Sequence, residues 1–92
     1  MRTLLVVGGG VESVPGIRLA RQMGLFVVVS DGDSKAPGFA HANHAILAST
    51  YDEGQTLHEV RRFESEHRPL DGVISIAVDV PLTVATVASS LG

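Results

Sequence analysis

Four short apolar runs punctuate the chain, Leu4 to Val7, Phe26 to Val29, Ala45 to Ala48 and Gly72 to Ala77, and none alternates with polar residues. A strand that shows one face to a core and one to water alternates, whereas a strand covered on both faces does not. These runs therefore predict buried strands. Between the first two, Val14, Ile17, Ala20 and Met23 recur at helical spacing, with Pro15 in the first turn and Gly24 placed to cap the end. From Glu53 to His67, the residues Leu57, Val60 and Phe63 make a narrower stripe opposite Arg61, Arg62, Glu64 and Glu66. Val80, Val84, Val87, Ala88 and Leu91 form the clearest amphipathic pattern, with Gly92 as its cap. Asp31 to Asn43 is irregular, rich in Gly, Asp, Ser and Pro, and predicts only a short helical turn over Gly38 to Ala42.

Strands alternating with helices predict βαβ units and a parallel sheet. The fold class is α/β: a Rossmann-like half of a doubly wound fold. Right-handed crossovers give a four-stranded sheet of order 3-2-1-4 with helices on both faces. Every loop that follows a strand then gathers at one edge, where open α/β sheets bind ligands. Those loops supply Gly8 to Ser13, Asp31 and Asp33, Ser49 to Asp52, and Val78 to Pro81.

Composition narrows the classes. At 92 residues the chain is one small domain, able to bury only about 60 to 65% of its unfolded surface. It contains no cysteine, which rules out disulfides and thiolate zinc sites and points to a cytoplasmic setting. A net charge of −3 with scattered arginines gives no basic stripe for nucleic acid or an anionic membrane. No apolar run reaches the roughly 20 residues of a membrane span. The run after Met1-Arg2-Thr3 is too short for a signal peptide. Nothing repeats, so residues 1–92 read as a single domain.

The candidate chemistry starts at Gly8-Gly9-Gly10, a glycine turn between a strand and a helix start at Ser13, Val14 and Pro15. Glycines permit positive φ and close approach, and a helix N-terminus presents free N–H groups, so this corner is a ready anion site. Gly8 and Gly10 fit the first two glycines of a dinucleotide fingerprint, and Asp31 stands where an acid would meet the ribose. Ser13 holds the place of the third glycine, with Gly16 three residues beyond, so the fingerprint is incomplete. Glu12 and Asp79 are open to two readings each: a ligand contact, or a cap on the following helix. Asp31 and Asp33 either contact a ligand or form a solvated turn. His41 and His44 sit in an irregular segment and at a strand start, an unpromising pair for a metal. His58 and His67 read as surface residues of the third helix, and Asp52 and Glu53 as its N-terminal charges. Neither Ser13 nor Ser49 has the partners of a nucleophile.

The whole string, from LLVVGGGVESVPGIRLARQMGLFVVVSDGDSKAPGFAHANHAI through STYDEGQTL to DGVISIAVDVPLTVATVASSLG, resembles the N-terminal domain of ATP-grasp ligases. That superfamily includes biotin carboxylase, the carbamoyl phosphate synthetase large subunit and ligases of purine biosynthesis. The resemblance is carried by the glycine turn, "RLARQMG", the acidic turn at Asp31 followed by Ala36-Pro37, "HANHAI" and "DGVISIAVD". It implies a preATP-grasp domain, a fragment of a longer chain, in which ATP and magnesium are held elsewhere and not by this fragment. It further implies that Gly9, Gly10, Glu12 and Ser13, with Asp79 facing them, contribute to an acceptor-substrate pocket; Asp31 joins them as a candidate. The parent chemistry would be carboxylate activation as an acyl phosphate, followed by attack of an amine or similar nucleophile. Two other readings stand beside it: a small NAD- or FAD-binding module, and a non-catalytic interaction domain, with a homodimer as one form of partnership.

Overall fold

The computed structural model describes residues 1–91. Its elements run β1 (Thr3–Val7), α1 (Val14–Gln22), β2 (Phe26–Asp31), β3 (His44–Leu47), α2 (Glu53–Glu66), β4 (Gly72–Ile74) and α3 (Pro81–Ser90). Single 3-10 turns span Val11–Ser13 and Pro37–His41. All three strand pairings are parallel and the sheet order is β3-β2-β1-β4, the expected half of a doubly wound fold.

The unbroken apolar runs are explained by two separate cores. Leu5, Val7 and Val28 face Ile46, Val60, Phe63 and Val87 on the side of α2 and α3. Val6, Val27 and Val29 face Ile17 and Ala20 of α1 on the other side. Each fully buried aliphatic side chain contributes about 1.5–3 kcal/mol, so both faces must stay covered. Chain direction across the sheet reverses after β3, and crossovers of one hand then place α2 on the face opposite α1.

Both edge strands are pinned by a side chain just ahead of them. Asn43 precedes β3; its Oδ1 accepts from the Val27 N–H at 2.8 Å while its own N–H donates to the Val27 carbonyl at 2.8 Å. Asp71 precedes β4 and does the same to Thr3, at 2.7 and 2.8 Å. Each clamp fixes the register of a strand that has a neighbour on one side only.

α1 ends in a Schellman motif. The Gly24 N–H donates to the Arg21 carbonyl at 3.0 Å and the Leu25 N–H to the Ala20 carbonyl at 3.2 Å, with Gly24 at φ +88°. The helix therefore stops at Gln22, and Met23, expected in the core stripe, is 70% exposed. On α3 the outcome is similar for Ala88, which is exposed, while Thr83 is buried in the core face instead. Thr83 can turn inward because its hydroxyl donates to the Thr50 carbonyl at 2.7 Å. Gly92, expected to cap this helix, lies outside the described residues.

β4 is shorter than the run Gly72 to Ala77 predicts. After Ile74 the chain bends away, because its apolar residues are used over β1 and α1 rather than in the ladder. Ile76 packs on Gly16, where a Cβ would lie 2.6 Å from Ile76 Cδ1, and Val78 packs on Gly8, where a Cβ would lie 2.7 Å from Val78 Cγ2.

Candidate functional site

The ends of β1, β2 and β4 meet around the glycine turn. Gly8 takes φ +98°, which only glycine adopts without strain, and its N–H donates to the Ser30 carbonyl at 2.7 Å. The next N–H, of Gly9, donates to Asp31 Oδ2 at 2.8 Å. The other carboxylate oxygen of Asp31 accepts from the Asp33 N–H at 2.9 Å. Asp33 in turn accepts from the Lys35 N–H at 2.8 Å, an Asx turn that leads the chain out of β2.

The Asp31 carboxylate thus forms the exposed turn after β2 through Oδ1 and reaches the glycine turn through Oδ2. It braces the glycine turn from inside, as an internal anion on a backbone donor. A dinucleotide site would need the Gly9 N–H for pyrophosphate and the Asp31 carboxylate for ribose. Here the two satisfy one another.

The turn is also walled by glycine against glycine. The Gly38 N–H donates to the Gly9 carbonyl at 2.7 Å. A Cβ on Gly38 would stand 2.8 Å from Gly9 Cα and 2.8 Å from Ile17 Cδ1, and one on Gly9 2.8 Å from Val29 Cγ1. The short helical turn expected over Gly38 to Ala42 is the 3-10 turn Pro37–His41, and its role is to close over Gly9. Sequence reading missed Gly38 as part of the site; its signal was a glycine directly after Ala36-Pro37, where a turn needs no glycine for its own geometry.

Beyond the brace, the rim is open. The Ser13 N–H donates to the Gly10 carbonyl at 2.9 Å, closing the Val11–Ser13 turn. Ser13 is fully buried and its hydroxyl has no partner, and the same holds for Ser30. Neither Glu12 nor Asp79 caps a helix: the positions preceding α1 and α3 are Ser13 and Val80, without side-chain caps. Both acids are exposed, and Glu12 reaches back toward Gly10, its Oε2 lying 3.6 Å from where a Gly10 Cβ would stand. Asp79 follows Val78, whose side chain covers Gly8. The structure therefore brings Gly9, Gly10, Glu12, Ser13 and Asp31 into one turn, and sets Asp79 on the segment that packs over it.

The loop after β3 is tied in by α2. Asp52 Oδ1 accepts from the Gln55 N–H at 3.0 Å, the expected N-cap. Gln55 Oε1 accepts from the Ser49 N–H at 2.5 Å, and the Thr56 hydroxyl donates to the Ser49 carbonyl at 2.9 Å. These bonds hold the backbone of Ser49 and Thr50 in place.

His44 and His67 come together, and His41 lies apart from them. His44 stacks with Phe63 and His67 at ring-centroid distances of 4.8 Å each, beside a concavity between β3 and α2. Burial, and then the neighbouring His67, hold the His44 imidazole below its ordinary value against an opposing pull from Glu66. His41 lies on the other face, where its carbonyl accepts from Arg21 Nη1 at 3.2 Å. Among the described residues no three His, Cys, Asp or Glu side chains converge as a metal site, and no helix is long and apolar enough to cross a membrane.

A sequence-family model described as the ATP-grasp N-terminal domain matches residues 17–92. Among solved structures, phosphoribosylglycinamide synthetase from Anaerococcus prevotii superposes with a TM-score of 0.77 at 16% identity, covering 96% of this chain and 22% of that one. N5-carboxyaminoimidazole ribonucleotide synthetase from Thermotoga maritima gives 0.66 at 24% identity, over 89% and 21%. L-amino acid ligase from Bacillus licheniformis gives 0.68 at 21% identity, over 99% and 24%. At such identities the likeness is one of fold, and the chain spans only about a fifth to a quarter of each of these proteins. Curated protein sequences yield no match. The glycine turn, Glu12 and Ser13 precede the matched segment, while Asp31 and Asp79 lie inside it. With the family model covering well over half of the residues and the sheet order agreeing, the chain belongs to the ATP-grasp N-terminal domain family.

Proposed function

We propose that this chain is the substrate-side domain of an ATP-dependent ligase and forms one wall of its acceptor pocket. The observation that carries the reading is the rim of the glycine turn: Gly9 is braced internally by Asp31, while Glu12 near Gly10 and Asp79, next in sequence to the Val78 that covers Gly8, stay exposed and cap nothing. An exposed carboxylate accepts hydrogen bonds from an amine or hydroxyl. The acceptor is accordingly an amine- or hydroxyl-bearing small molecule, a class that includes the amino acids and ribonucleotides named for the similar ligases. Gly10, Glu12 and Asp79 orient it; Gly9, Asp31 and the buried Ser13, a rim candidate from the sequence that the fold turns inward, shape the turn.

ATP and magnesium belong to other parts of the ligase in this reading. The joined carboxylate and nucleophile react outside this domain, whose part is binding and orientation. The setting is cytoplasmic, and a homodimer is compatible with it.

Steady-state kinetics of the ligase carrying this domain test the reading. Glu12→Gln should raise KM for the acceptor about tenfold, the loss of one charge-assisted hydrogen bond of about 1.5 kcal/mol. KM for ATP should not move. A variant that changes KM for ATP alone, or neither constant, would overturn the assignment.

A further inference from the structure

α1 carries two arginines that its own protein leaves uncompensated. Among the described residues the arginine ion pairs are those of Arg62 with Glu59 and Glu66, at 3.7 and 3.1 Å. Arg18 and Arg21 pair with no carboxylate. They are one turn apart and line a concavity of about 320 Å³ together with Gln22 and His41, with no acidic side chain in its wall. This is an island of one sign on a chain of net charge −3.

Arg21 is held in place by its bond to the His41 carbonyl at 3.2 Å, which uses one of five guanidinium donors and leaves the rest for a ligand. Arg18 and Gln22 are shared with a second concavity of about 360 Å³, whose other walls are Val14, Pro15 and Leu19. Leu19 is 57% exposed. A cationic half and an apolar half therefore meet along one helix face, and neither concavity is lined by a residue of the glycine turn. Two guanidinium forks match the oxygens of a tetrahedral oxyanion.

We propose that this face of α1 is a binding site for a phosphate monoester, with the phosphate between Arg18 and Arg21 and an apolar or ring substituent on Pro15 and Leu19. His41 and Gln22 supply further donors.

Amide NMR of the ¹⁵N-labelled chain, titrated with inorganic phosphate and with phenyl phosphate at constant pH and ionic strength against chloride, tests this. Saturable shifts are expected at Arg18, Leu19, Gln22, His41 and Ala42, with phenyl phosphate binding roughly fivefold tighter through the apolar area that its ring covers. The double variant Arg18→Glu, Arg21→Glu should lose binding at least about tenfold, whereas Arg61→Glu on α2 should keep it. Both arginines are exposed, and the dispersion of the amide spectrum itself reports that the variant stays folded; Arg18→Lys, which keeps charge but loses the fork, should fall between. Shifts no larger than those in chloride, shifts centred on Gly9 to Ser13, equal binding by the double variant, or phenyl phosphate binding no tighter than inorganic phosphate would overturn the proposal.

Discussion

The Asp31 carboxylate holds the backbone N–H of Gly9 at 2.8 Å, joining the end of β2 to the turn after β1. An acid at the end of the second strand is commonly read as a ligand contact, yet here its first partner is the protein. Removing it leaves a part-buried N–H without an acceptor, which costs about 1–3 kcal/mol. Asp31→Ala should therefore lower the melting temperature by roughly 4–8 °C per kcal/mol lost. Asp31→Asn, which keeps one acceptor oxygen, should lose less. A melting point unchanged in Asp31→Ala would show that the brace carries no weight.

Two glycines should respond to alanine with opposite sign. A Cβ on Gly38 meets backbone, 2.8 Å from Gly9 Cα and 2.9 Å from the Gly9 oxygen, so the two turns must part, at a cost of about 1–3 kcal/mol. Gly54 lies in the first turn of α2 with only Asp52 Oδ1, at 3.5 Å, near its Cβ position. Gly54→Ala should stabilise by about 0.5–1 kcal/mol through helix propensity. Chemical denaturation of the two variants reads both signs.

The clamps ahead of the edge strands should fail alike. Asp71→Ala and Asn43→Ala each free a neighbouring strand N–H, of Thr3 and Val27 respectively, and each should cost about 1–2 kcal/mol. Hydrogen exchange should speed up at the adjoining edge strand first, β4 for Asp71 and β3 for Asn43. Uniform acceleration across the sheet would contradict a local role.

His44 makes stability depend on pH. Its folded value lies below the ordinary 6.5, by burial and by His67 against Glu66; Arg62 and Glu59 of α2 also line the concavity it faces. Above pH 6.5 the imidazole is neutral in both states and costs nothing. As pH falls below that value the unfolded chain takes up the proton first, so stability declines until the folded value is passed and then levels. His44→Gln should flatten this decline between pH 7 and pH 5 in thermal melts.

Sheet order and both buried faces were legible in the sequence because uninterrupted Val and Leu runs have one physical explanation, cover on both sides. The details that failed are those where local rules met competing tertiary bonds. Met23 fits the helical period of α1, but the Schellman end at Gly24 turns it out to solvent. Ala88 fits the apolar stripe of α3, yet Thr83 is turned inward by its bond to Thr50, which spacing does not encode. Ile76 and Val78 belong to an apolar run, but they pack against the glycines at 16 and 8 instead of extending the ladder. At the site, Glu12 and Asp79 were legible as acids at helix starts; that neither caps, and that Asp31 is occupied by Gly9, required three-dimensional partners.

The most direct test of a self-braced turn on a substrate-side domain is an amide NMR titration of the chain with NAD and with magnesium ATP, read at Gly9, Gly10, Glu12 and Ser13. Neither nucleotide should produce saturable shifts at these amides at millimolar concentration. Saturable shifts of the Gly9 and Gly10 amides by either nucleotide would contradict it.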